Sequence, residues 1–283
     1  MKVALASLAL ASATLARPCS AQTEQASLWQ DQWPQFSTTE AIFTLSAGVS
    51  TIALALVPPA QNARWSGGVL FDGAVRDLVR AEDAETRKSF RGVGDISYYA
   101  APALPLLVDA FVVSLLIRGD KRTAANLALI SAEAFSYTGL ITFAALRGVA
   151  RERPDATECK RTSTNPTKCP SDTESFYSGH SAVSATSAGL VCANHTRMPL
   201  WGHPVADISA CALAVSGALL TGTTRLVADR HYPTDVALGL GIGFGIGYAV
   251  PVLLHYSRVT KRELTLAPDP QCSGTCLALR GSF

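Results

Sequence analysis

Charge is scarce in this sequence. Only 16% of its 283 residues are Asp, Glu, Lys or Arg, against 48% hydrophobic, and the mean hydropathy is +0.21. A water-soluble globular chain usually carries about 25% charged residues. There is too little polar surface here to cover a compact body in water, and the composition describes a membrane protein. An excess of either sign is missing as well. The 24 basic and 22 acidic residues leave a net charge of +2, without the clustered basic footprint that binds DNA or RNA. No segment recurs at a fixed period, and the 21 Gly and 15 Pro follow no repeat, which sets aside solenoid, collagen-like and disordered architectures. The seven cysteines lack the paired Cys and His spacing of a zinc site, so no structural metal is expected.

What the sequence does contain is a series of apolar segments. Met1-Lys2, the apolar run at 3–16 and the small residues Cys19-Ser20-Ala21 read as a secretory signal peptide over 1–21, cleaved after Ala21. Trp29 and Trp33 in the polar stretch that follows suit a membrane–water boundary. Residues 22–95 read as an N-terminal membrane segment and amphipathic region. They hold a span at 41–57 stopped by Pro58-Pro59, and a surface-lying helix carrying Val75, Leu78 and Val79. Residues 96–256 read as a helical core with spans at 96–117, 123–146, 178–192, 205–221 and 234–254. In the tail, 257–283, residues 276–280 alternate like a short strand. The expected fold class is all-α, a six-helix transmembrane bundle with its site at helix ends on one membrane face.

Small residues crowd 181–189 and the series Gly239, Gly241, Gly243, Gly245, Gly247, so the fourth and sixth spans are expected to pack closely. Asp109 and Glu133 fall inside spans, where a carboxylate is either functional or a structural hydrogen-bonding group. Cys192 and Cys211 read as small buried hydrophobes. Cys159 with Cys169 and Cys272 with Cys276 are local pairs that an oxidising space would bridge.

Three polar clusters fall at span ends on one face: Arg151-Glu152-Arg153-Pro154, then Ser178-Gly179-His180, then Arg225 with His231 and Asp235. Together they make a phosphate site. Arginine offers a planar fork of donors to phosphate oxygens, and the free N–H groups at a helix start around Ser178 and Gly179 add aligned donors. Asp235, four residues after His231, can hold the imidazole in one tautomer and leave the other nitrogen as a nucleophile. His180 can protonate the leaving alcohol and later activate water. His195, His203 and His255 fall on the opposite face and are assigned no catalytic role.

With these motifs the chain resembles the type 2 phosphatidic acid phosphatase and vanadium haloperoxidase superfamily, in its membrane lipid phosphatase branch. The third family motif, Ser-Arg, five residues, His, three residues, Asp, stands here as Thr224-Arg225 with His231 and Asp235. The second, Pro-Ser-Gly-His, stands as Tyr177-Ser178-Gly179-His180. The first, Lys, six residues, Arg-Pro, keeps Arg153-Pro154 but has Leu146 at the lysine position. The resemblance implies metal-independent hydrolysis of a phosphomonoester or diphosphate on a membrane lipid through a phosphohistidine, with no cofactor. His231 would be the nucleophile, Asp235 its partner and His180 the acid and base, while Arg153, Arg225, Ser178 and Gly179 would bind phosphate. Arg147 or Arg151 would replace the missing lysine. The alternatives are an impaired phosphate-binding membrane protein and a vanadate-dependent haloperoxidase.

Sidedness rests on two lines that conflict. A cleaved signal followed by six spans puts the site in the cytoplasm, and the Lys and Arg distribution agrees. The Cys159 and Cys169 pair and the resemblance favour the exterior face, which is the expectation adopted; it requires that 41–57 not cross fully.

Overall fold

The computed structural model describes residues 27–257 and the backbone of 265–268 and 277–280. The expected signal peptide and the Cys272 and Cys276 pair lie outside the described residues. Helices begin where the sequence offers a partner for the free N–H groups of a first turn, or a proline that needs none. α1 (Thr38–Leu56) opens on a reciprocal cap between Ser37 and Glu40. α2 (Asp72–Val79) is short, and α3 (Ala84–Ala100) is capped by Asp83. After a 42° bend α3 continues as a π-helical segment, Leu104–Ile117. Asp120 caps α4 (Lys121–Val149), which ends at Ala150 in the left-handed region with φ 50°. α5 (Pro154–Thr162), α7 (Pro204–Val227) and α8 (Pro233–Val250) each start on proline, and Ser178 caps α6 (Gly179–Arg197). Residues 277–280 of the alternating tail form β2 (Leu277–Arg280), antiparallel to β1 (Thr265–Pro268).

The fold is all-α in its membrane part, with one correction to the expected count. α1, α4, α7 and α8 with its extension to His255 are long and apolar enough to cross a membrane, and the bent pair of α3 and 104–117 makes a fifth. α6 fails on apolarity, because it is the central helix and touches protein on every side. Apart from Val183, every residue from Ser181 to His195 is buried. Two of its hydroxyls bond to neighbouring backbone, Thr186 to the carbonyls of Ala182 and Gly243 and Ser187 to that of Ala101, while the buried Oγ of Ser184 has no partner among the described residues. α8 lies against α6 through a ridge of glycines. A Cβ at Gly239, Gly243 or Gly247 would come within 2.5, 2.1 and 2.1 Å of the carbonyl oxygens of Ser178, Ala182 and Thr186.

The C-terminal ends of α1, α4 and α7 meet the N-terminal ends of α3, α6 and α8 at one end of the bundle. Contacts of Arg147 with Leu54, Ala81 with Val227 and Ser178 with Asp235 mark that end. At the other end Trp29 and Trp33 are buried against Tyr256 instead of standing at a lipid boundary. There His195 sits between Asp109 and Asp207, and His255 pairs with Glu133. Both intramembrane carboxylates are thus partnered inside the bundle.

Two disulfides form among the described residues. Cys159 is bridged to Cys169, and Cys192 to Cys211. The second corrects the reading of Cys192 and Cys211 as free buried thiols. Antiparallel α6 and α7 bring their Cα atoms to 4.4 Å, within bridging reach. The boundary expected at 95 falls inside α3, and Asp72 and Asp95 from the N-terminal region enter the site end of the bundle.

Candidate active site

The short α7–α8 turn is held rigid before it presents anything. Asp229 takes a left-handed conformation, φ 57°, and accepts two hydrogen bonds of 2.7 Å from Arg76 on α2. This fixes Arg230 and His231. Arg230 pairs with Asp155 and Asp172, and Asp172 also receives Arg153 Nε at 2.7 Å. Burial opposes the Asp172 charge, but Arg153 and Arg230 together hold its carboxyl below the usual carboxylate range. The guanidinium of Arg153 is thereby aimed at His231, with Nη1 3.1 Å from His231 Nε2.

That geometry fixes the histidine's tautomer. His231 Nδ1 lies 2.7 Å from the carbonyl oxygen of Ser175, which can only accept, so the proton is on Nδ1 and the Nε2 lone pair faces Arg153. Burial, reinforced by Arg153 and Arg225, pushes the imidazole well below its ordinary value. The ring is a neutral base whose unprotonated nitrogen accepts from Arg153 at the pocket wall.

Asp235, expected to hold this ring, reaches it only through Ser175, whose Oγ donates to Asp235 Oδ2 at 2.6 Å. As the third residue of α8, Asp235 turns back to the N–H of Tyr232 and takes Arg151 Nη1 at 2.6 Å. Arg151 is correspondingly unavailable to a phosphate. It is fully buried, bonded to Asp72, Asp235 and the Gly67 carbonyl, and held between the rings of Trp65 and Tyr232. Ser178 is also engaged: its Oγ caps α6 and its N–H donates to Asp235 O. The donors it leaves are the first-turn N–H groups of Gly179 and His180, which have no acceptor within the helix.

His180, Gly179, Arg153 and His231 line one pocket of about 380 Å³, together with Asp95, Tyr98, Phe143, Leu146 and Glu174. Arg225 stands behind it. Its Nη1 donates to Asp95 Oδ1 at 3.0 Å, and its buried Nε has no hydrogen-bond partner among the described residues, as suits a donor waiting for an anion. Leu146 faces the pocket. Arg147 instead bonds Glu174 and the Leu54 carbonyl at the end of α1, so neither proposed arginine occupies the lysine's place. A larger cavity of about 660 Å³ beside His195 and Asp207 lies at the opposite end of the bundle. It holds no group from the three motifs, and volume alone does not make a site.

Asp72, Asp95, Asp172 and Glu174 escaped the sequence reading. Nothing in their local pattern marks them, since each acts on a partner from a distant segment.

Residues 124–258 match the PAP2 superfamily. The matched segment, from α4 to the end of the α8 extension, belongs to that superfamily. No curated protein and no solved structure matches the chain. PAP2 membership carries phosphatase-type activity on phosphate esters, and the matched segment contains all three motif clusters; α2 and α3, which supply Asp72 and Asp95, lie outside it.

Proposed function

We propose that this PAP2 protein hydrolyses a phosphomonoester or diphosphate carried on a membrane lipid, without a metal, through a phosphohistidine on His231. The observation that carries the reading is the fixed tautomer of His231, whose Nε2 lone pair opens on a pocket shared with Arg153 and His180. A phosphate seated there would take donors from Arg153, Arg225 and the α6 N–H groups of Gly179 and His180. Nε2 attacks phosphorus as the P–O bond to the alcohol breaks, and His180 supplies the alcohol's proton. His180 then takes a proton from water, whose hydroxyl displaces the histidine and releases inorganic phosphate. The apolar outer faces of α1 and α7 support the lipid reading, since a pocket at the end of a membrane-embedded bundle would meet a lipid headgroup.

The test is turnover of labelled phosphatidic acid, phosphatidylglycerol phosphate and a polyprenyl diphosphate by the detergent-purified chain. Alkaline quench should trap label on His231, and His231→Ala should lose orders of magnitude in kcat. Turnover near wild type in His231→Ala would sink the mechanism. Leu146 in the pocket favours one second reading, phosphate binding without catalysis; vanadate binding with no turnover of any of these lipids would select it.

A further inference from the structure

We propose that Asp95 is the positioning residue of His180, completing from α3 an Asp-His pair that the 124–258 core does not itself contain; this rests on the phosphatase reading above. Asp95 Oδ1 lies 2.8 Å from His180 Nε2 and 3.0 Å from Arg225 Nη1, so one carboxylate oxygen fixes both the acid and a phosphate-binding cation. Gly94 makes the approach of α3 to α7 possible, since a Cβ there would fall 2.7 Å from Thr224 Oγ1 and 3.0 Å from Arg225 Nη1.

The groups around His180 are Asp95 and Tyr98 from α3, Arg225 from α7, Arg153 ahead of α5 and His231 ahead of α8. Two of them are guanidiniums, and a protonated imidazole beside two cations needs a counter-charge. Asp95 supplies it. With Nε2–H directed to Asp95, Nδ1 is the nitrogen that gives its proton to the departing alcohol oxygen and later takes one from water.

A leaving group that needs no proton isolates this role. The full chain in detergent is assayed with an alkyl phosphate, whose alkoxide must be protonated, and with p-nitrophenyl phosphate, whose phenolate need not be. Asp95→Asn should lower kcat/KM, which reports the transfer to His231 and not the later hydrolysis, about 100-fold on the alkyl ester and less than about fivefold on the aryl ester. Asp95→Glu, which keeps the charge, should recover part of the alkyl activity. Equal losses on both esters, or no loss, overturn the proposal. If Asp95→Asn does not fold, the alkyl-to-aryl ratio of Asp95→Glu decides: a ratio below wild type supports the pair and an unchanged ratio rejects it. A wild-type chain that hydrolyses neither ester removes the phosphatase reading and this inference with it.

Discussion

His231 and the two arginines near it show how much one residue's role depends on what its neighbours leave free. Because the folded protein holds His231 well below the ordinary imidazole value, the ring stays neutral as pH falls through about 6.5, and a neutral ring is the nucleophile. With p-nitrophenyl phosphate, kcat/KM should therefore stay level from about pH 7.5 to about pH 5.5. A tenfold loss per pH unit beginning near 6.5 would show that the nucleophile titrates at its ordinary value. Arg151 holds two buried carboxylates, Asp72 and Asp235, and its removal leaves both unpaired. Arg151→Ala should cost about 3 to 5 kcal/mol of stability, read as a drop in unfolding temperature before any catalytic defect is measured. Leu146→Lys puts a cation into the phosphate pocket directly. It should raise kcat/KM by about tenfold or more, and an unchanged value would mean that Arg153 and Arg225 already supply the field the reaction requires.

Packing between elements sets how far those residues can move. α8 approaches α6 so closely that its glycines meet backbone carbonyls, a contact that lipid-embedded helices use because hydrocarbon offers no hydrophobic drive between them. Gly243→Ala would place a Cβ 2.1 Å from Ala182 O and must push the helices apart. Since α6 carries His180 and α8 follows directly on His231, a stability loss of about 1 to 3 kcal/mol should come with a fall in kcat. Gly241→Ala, with nothing near its Cβ, should change neither, and equal effects from the two would refute the ridge. This ridge was legible in the sequence because small residues at a four-residue spacing have one physical use in a membrane helix. The sequence reading sets the helix starts a few residues later, at 41, 123 and 234, than the caps at Ser37 and Asp120 and the proline at Pro233 do. The Cys192–Cys211 bridge was not legible, because it depends on the register of two helices. The pairing of Arg151 with Asp72 was not either, because it joins a loop to α2 across 79 residues. Hydropathy also misplaced α6 and the two tryptophans: a polar helix can be central and an aromatic ring can be core, and composition alone does not say what surrounds either.

Across the whole molecule the constraint is parity. α1 runs beside α4 up to the contact between Arg147 and the Leu54 carbonyl and is long and apolar enough to cross, which weighs against the expectation that 41–57 stops short of crossing. The segment around Trp29 and Trp33 and the segment around Tyr256 lie together at the end opposite the pocket. With α1 as a complete pass, an exported residue 22 would place the pocket inside the cell, and an exterior pocket would place Trp29 inside. A signal cleaved after Ala21 and an outward site therefore exclude each other, although the sequence suggested both. The Cys159–Cys169 bridge favours the outward site. It spans a polar loop on the pocket side, where water and reductant reach it, and such a bridge persists in oxidising compartments and not beside a reducing cytosolic thiol pool. An impermeant amine reagent applied to intact cells should modify Lys168, and a membrane-impermeant thiol reagent should reach Cys169 after mild reduction. A cysteine placed at exposed Gly202, in the turn between α6 and α7, should react only after lysis. The reverse pattern would put the pocket in the cytoplasm and restore the cleaved signal, while labelling of both sides in intact cells would mean that the helices do not form a complete barrier between them.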